Sequence, residues 1–292
     1  MTGEFERKVL AGGWAFAEAP RWYRGLLWLS DMLGGRVLTI DSFGGVEVFC
    51  EVDSPMGLGW LPDGRLLIVS MGKWGIYVCD GGTVRQYADL SSVCVGPPND
   101  MVVDQMGRAY VGNMGARGFL QGEPPQPADL VLIDTNRNPS VVASDLMFAN
   151  GMVITPDANT LIVAETFGHR LTAFTVNVGD GSLSDRRTFA DLGERTPDGI
   201  ALDSEGAIWV ASMETGEFLR VKEGGEVTNV IDLDGRHAAA CAIGGSKGTT
   251  LFMVTLENAE GVTDPTEGIR RGDSIARVET TVIPVRGADS VS

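Results

Sequence analysis

Thr196-Pro197-Asp198-Gly199-Ile200-Ala201-Leu202-Asp203, followed after a short turn by Ala207-Ile208-Trp209-Val210-Ala211, is the stretch on which the reading of this chain turns. A carboxylate stands at the mouth of an apolar strand, a polar turn follows, and a second apolar strand runs back. Two short β-rich runs separated by Asp and Gly form a hairpin signal. The same unit recurs along the chain, with starts at Glu18, Met56, Asn99, Asn150, Asp198 and, more weakly, Ala240. Each start opens an apolar strand, and turns such as Pro62-Asp63-Gly64-Arg65 and Asp104-Gln105-Met106-Gly107 separate it from the next. A third and usually a fourth strand follow, as in Arg36–Ile40 with Val46–Phe49 and Gly75–Val78 with Val84–Tyr87.

Four short strands recurring every ~40–50 residues are the signature of a β-propeller. Six copies predict an all-β, six-bladed β-propeller with a metal site in the central channel, formed by one domain over residues 1–292. Residues 1–13 have no blade of their own and are expected to supply an outer strand to the last blade, closing the ring. No segment combines a sustained helical period with caps, so no helix is expected.

Composition narrows the function classes. Hydrophobic residues make up 43% of the 292, enough for a large core, and no run reaches the ~18 apolar residues of a membrane span. The N-terminus lacks the apolar run of a secretory signal, which points to a cytoplasmic protein. The formal charge of −16 comes without clustered Lys or Arg, so nucleic acid and anionic membrane are excluded as expected partners. The four cysteines lie far apart without a CxxC pair and read as reduced, buried thiols. With only His169 and His237 present, a histidine-built zinc site is excluded and any metal is held by oxygen.

The innermost strand of each blade lines a propeller's channel, so the six starting residues face the centre near one end. Glu18 and Asp198 bring carboxylates, and Asn99 and Asn150 bring amide oxygens. Two buried carboxylates close together require a cation or a shared proton, and Ca²⁺ takes carboxylate, amide and water oxygens. Asp198 is also the candidate general base, positioned to take a proton from attacking water. Asp-Gly and Asn-Gly are equally turn dipeptides, an alternative that one copy alone leaves open.

Glu18-Ala19-Pro20-Arg21-Trp22, Asn99-Asp100, Asn150-Gly151-Met152 and Pro197-Asp198-Gly199-Ile200 resemble the E-x-P-x-W, N-D, N-G and P-D-G motifs of the senescence marker protein, gluconolactonase and luciferin-regenerating enzyme family. The resemblance spans nearly the whole chain. It implies one divalent metal in the channel, Ca²⁺ first with Zn²⁺, Mn²⁺ or Mg²⁺ as alternatives, and hydrolysis of a small-molecule lactone. It implies Glu18, Asn150 and Asp198 as metal ligands, and Asn99 as a ligand or substrate contact. Some sugar lactonases of the family carry Arg two residues before that Asn, where this chain has Pro97. Met56, Met101 and the loop holding Met114 and Phe119 add apolar surface, which points to a substrate less polar than an aldonolactone. His237, three residues before Ala240, is a further candidate at the channel rim. Other readings are a different metal-dependent hydrolase or lyase, acting on phosphotriesters or non-sugar rings, and a non-catalytic binding propeller. The inward carboxylate pair argues against the last. Gly244-Gly245-Ser246-Lys247-Gly248 matches a serine-hydrolase pattern but precedes a strand rather than a helix, so it reads as a hairpin turn.

Overall fold

Leu66-Leu67-Ile68-Val69-Ser70 is buried at all five positions, whereas Val46–Glu51 is exposed at five of six. That contrast is the radial order of the fold. A strand covered on both faces reads as a continuous apolar run, and one at a sheet edge alternates or turns polar. The computed structural model describes residues 5–288. It contains six four-stranded antiparallel sheets. In the first five sheets the strands lie in sequence order, from an innermost strand outward; Ala17–Tyr23, Leu26–Asp31, Arg36–Ile40 and Val46–Glu51 form the first.

The six innermost strands are Ala17–Tyr23, Pro55–Trp60, Pro98–Val103, Ala149–Ile154, Pro197–Leu202 and His237–Gly244. Each contacts the next, and the last contacts the first, so the sheets close into a ring of six blades. The sixth blade takes its outermost strand from the N-terminal end. Lys8–Trp14 pairs antiparallel with Ser274–Val282, as the sequence led one to expect for its first 13 residues; residues 1–4 lie outside the described part. Ser274 Oγ adds a hydrogen bond to the Ala15 carbonyl.

Between blades the packing is apolar and aromatic. Tyr23 of the first blade stacks on Trp60 of the second at 4.1 Å, and Trp28 meets the same indole edge-on at 5.3 Å. Turns are set by aspartates whose Oδ1 accepts from backbone N–H groups further along the same turn. Asp104 caps Met106 and Arg108, and Asp203 caps Glu205 and Ala207. Both aspartates also pair with a buried arginine, Arg108 and Arg220 respectively, at 2.6 Å. The Gly245–Gly248 region is the expected hairpin turn, bracketed by the Gly244–Thr250 pair. All four cysteines are free and buried. No helix among the described residues is long and apolar enough to cross a membrane.

The expectation of no helix is corrected at one place. Pro265–Arg271 is a seven-residue α-helix, capped by Asp264 through a 2.8 Å bond from Thr266 N, with Pro265 in its first turn and Gly272 closing it in the left-handed region. Two turns are too few for a 3.6-residue period to register, so the segment's sequence signals were its ends: Asp264-Pro265 and Glu267 at the start, Arg270-Arg271-Gly272 at the close.

Removing residues 1–14 leaves the Ser274–Val282 edge unpaired in the ring's closing blade. The truncated protein is expected to melt ~10 °C lower or more and to elute partly as aggregate in size-exclusion chromatography. An unchanged melting temperature would show that closure depends on blade-to-blade packing alone.

Candidate active site

A β-bulge recurs in every innermost strand. The pairs Pro98–Asn113 and Met101–Val111 enclose one more residue on the inner strand than on its partner. The same holds between Pro55 and Leu58, Ala149 and Met152, Pro197 and Ile200, and Glu18 and Arg21. A bulge re-aims side chains out of the pleat, and Met56, Asn99, Asn150 and Asp198 sit within these bulges. The glycines that follow are not turn residues. A Cβ at Gly151 would lie 2.6 Å from the Asp198 carbonyl oxygen, and one at Gly199 would lie 2.4 Å from the Ala240 Cβ. Asn-Gly and Asp-Gly therefore mark where adjacent inner strands nearly touch, not where the chain reverses.

One cavity opens at the channel end to which these bulges point. Glu18, Met56, Asn99, Asn150 and Asp198 all line it, brought together from five blades. The sixth start, Ala240, does not. Met114 and Phe119 line it as well, but Met101 is fully buried beneath, and Arg117 lies over the Trp74 ring at 4.7 Å. His237 is not among the lining residues. Its Nδ1 donates to the Met213 carbonyl at 3.1 Å, and its Nε2 takes the Asn258 amide at 3.3 Å, so both nitrogens are engaged in holding the loop of Met213. His169 is likewise tied to the Arg195 carbonyl.

Several lining residues escaped the sequence reading: Phe16, Met32, Phe148, Thr166, Phe167 and Met213. Most follow one rule. In each hairpin the end of the second strand returns beside the start of the first, as in Ala17–Asp31, Pro98–Asn113 and Pro197–Ser212. The residues just past that end, Met32, Met114, Thr166 with Phe167, and Met213, therefore surround the mouth. Phe148 is placed differently. The fully buried Glu165 accepts from Met147 N at 2.9 Å and from Arg170, Arg186 and Thr172. This anchors the corner that carries Phe148 at a φ of 64°. Burial opposes ionisation of Glu165, but these partners hold its carboxyl below the usual range.

The polar floor carries unbalanced charge. Glu18 and Asp198 are each only 6% exposed. Burial pushes the Glu18 carboxyl well above its ordinary value, the Asp198 and Asp100 charges push it further, and the Ala19 N–H and Arg21 pull the other way. Asp198 is raised by burial and by Asp100, against a hydrogen bond from Asn150. Beneath them Arg21 donates to Asp100 Oδ1 at 2.7 Å and to the Met101 carbonyl at 3.1 Å, between the floor and a second depression at the opposite end of the channel. The guanidinium pairs with Asp100, so among the described residues neither Glu18 nor Asp198 has an ion-pair partner, and burial favours their neutral forms. The Thr166 hydroxyl donates its proton to the Pro197 carbonyl at 2.8 Å and accepts from Asn150 Nδ2 at 3.2 Å. The amide nitrogen of Asn150 is thereby directed at Thr166, and its oxygen is not.

Residues 16–257 match the family described as the SMP-30/Gluconolactonase/LRE-like region. The chain belongs to that family. Among its relatives is a 6-deoxy-6-sulfogluconolactonase of Pseudomonas putida, 28% identical over 251 residues that cover 82% of each chain. Solved structures with the same fold include a luciferin-regenerating enzyme, with a TM-score of 0.82 at 16% identity, covering 99% of both chains. Another is a calcium-binding regucalcin of Agrobacterium tumefaciens, with a TM-score of 0.78 at 20% identity over 98% of this chain and 96% of that one. At those identities the two structures speak for the fold alone.

Arg21 is 16% exposed and Asp100 9% at their side chains. Arg21→Gln leaves Asp100 buried without its counter-charge, and a loss of about 3–5 kcal/mol in unfolding free energy is expected by urea titration. A loss below ~1 kcal/mol, within the range of exposed pairs, would show that water reaches the pair from the second depression.

Proposed function

We propose that this protein is a metal-dependent lactonase. The observation that carries the reading is the buried pair Glu18 and Asp198, set from different blades at the floor of one cavity lined mostly by apolar side chains. Membership of a gluconolactonase-like family and a sugar-lactonase relative support the reaction class. Among the described residues no three or more His, Cys, Asp and Glu side chains gather as a metal cage. The donor set is of another kind, two carboxylates with the amides of Asn150 and Asn99, and such mixed oxygen donors suit Ca²⁺. Once ionised, the two carboxylates match the charge of a divalent ion, so the residues fit the group.

In this reading Glu18, Asn150 and Asp198 would hold the ion, and Asn99 would contact the ion or the substrate. A divalent cation there supplies Lewis acidity toward the lactone carbonyl and its oxyanion. Asp198 takes the proton from the attacking water as its oxygen bonds to the carbonyl carbon. The ring C–O bond then breaks, and the proton passes to the departing alkoxide, giving a hydroxy acid. Thr166 keeps the Asn150 amide from rotating, and Arg21 with Asp100 fixes the floor from below. Phe148 and residues Pro265, Thr266 and Ile269 of the helix add to the cavity lining.

A pH-stat assay on a lactone panel is expected to show turnover that chelator abolishes and added Ca²⁺, Zn²⁺ or Mn²⁺ restores; turnover that survives full metal removal would sink the proposal. Asp198→Asn is expected to lower kcat by about 10²–10⁴.

Cation binding also has a pH signature. Carboxyls whose folded pKa lies above the unfolded value stabilise the metal-free fold at low pH. That contribution fades as pH rises through the raised values of Glu18 and Asp198. A cation competes with the same protons, so the rise in melting temperature on adding Ca²⁺ is expected to grow from pH 5 to pH 8 and to vanish in Glu18→Gln. A shift independent of pH would place the ion elsewhere.

A further inference from the structure

The lining of the cavity divides into two unlike ends. Its floor is the buried polar set Glu18, Asn99, Asn150 and Asp198. Above it Met32, Met56, Met114 and Met213 stand around the wall. Phe119, Phe148 and Phe167 form one aromatic cluster, with ring centroids 4.9, 5.9 and 5.4 Å apart. Ile269 and Pro265 of the short helix close the far side. Phe119, Leu120, Phe167 and Met213 are only partly buried, each packed against the main apolar cluster of the fold. This leaves a continuous apolar surface at the mouth for something apolar to cover.

The charges are equally one-sided. No Lys, Arg or His lines the cavity among the described residues, and Glu214 adds a carboxylate at the rim. With Glu18 and Asp198 committed to the ion, a sulfonate, phosphate or carboxylate elsewhere on the substrate would find no side-chain cation in the cavity and would face Glu214 at its rim. The sulfonated substrate in the name of the Pseudomonas relative is therefore a poor match for this cavity. A polyhydroxylated ring fares little better, because the wall offers aromatic faces and thioethers where several hydroxyls would need partners. Methionine is the side chain that adapts to apolar groups of varied shape.

Resting on the lactonase reading, we propose that the substrate is an uncharged lactone bearing an alkyl or aryl substituent. Its ring carbonyl lies at the carboxylate floor and its substituent along the Phe119–Phe148–Phe167 wall.

The test uses the purified full-length enzyme with its metal. It measures kcat/KM for γ-butyrolactone, γ-hexalactone, γ-octalactone and γ-decalactone, for dihydrocoumarin, and for glucono-1,5-lactone. The expected result is a rise of about fourfold per methylene added until the cavity is filled, with glucono-1,5-lactone below γ-octalactone. Equal or better turnover of glucono-1,5-lactone, or no dependence on chain length, overturns this substrate class and leaves the lactonase reading standing. Turnover of no lactone at all overturns the lactonase reading and this proposal with it. Phe167→Ala and Phe119→Ala, both at partly exposed positions, are each expected to lower the γ-decalactone to γ-butyrolactone ratio about tenfold. An unchanged ratio in both would place the substituent away from the aromatic wall and overturn the proposal.

Discussion

Six inner strands have to lie side by side around one axis, close enough that side chains no longer fit between some of them. That steric constraint underlies the rest of the molecule. At Gly151 and Gly199 a Cβ would run into the neighbouring blade, so the strands meet backbone to backbone. The bulges absorb the resulting change of direction and turn the adjacent side chains, Asn150 and Asp198, into the channel mouth. Packing and site geometry thus come from the same few residues. A substitution that loosens the ring also moves the floor of the cavity.

Ring closure adds a second demand. Each of the first five blades is made from one continuous stretch, but the sixth borrows Lys8–Trp14 from the other end of the described chain. The floor residues Glu18 and Asp198 are separated by most of the blades, and their proximity depends on the circle being complete. Their mutual repulsion and burial then become a fixed electrostatic load. Arg21 offsets part of it through Asp100, and protonation of the two carboxyls relieves the rest in the metal-free protein. An apolar wall above that floor confines charge to one end of the cavity.

The repeat, its strand order and the inward set of starting residues were legible in the sequence, because apolar runs and Asp-Gly turns carry local information. Five of the six starting residues line one cavity. Ala240 and Met101 do not, since period alone does not say how deep along the axis a side chain lies. His237 illustrates the same limit. Its position suggested the rim, but the Met213 carbonyl and Asn258 use both of its nitrogens. The helix Pro265–Arg271 was too short for periodicity, although Asp264-Pro265 marked its start. Met32, Met114 and Met213 stood at equivalent places after the second strands, a pattern that becomes readable only once the hairpins are known to return to the same face.

By itself the sequence determined the all-β propeller, the six blades, the family and the residue types available to hold a cation, all of which follow from short-range patterning. Tertiary structure decided which of those residues share a cavity and what surrounds them. It set Glu165 to hold the corner of Phe148, Thr166 to orient Asn150, and three phenylalanines from two blades into one wall. Those assignments join residues through space across blade boundaries, where bulges and close backbone approach, not sequence spacing, determine which side chains share a cavity.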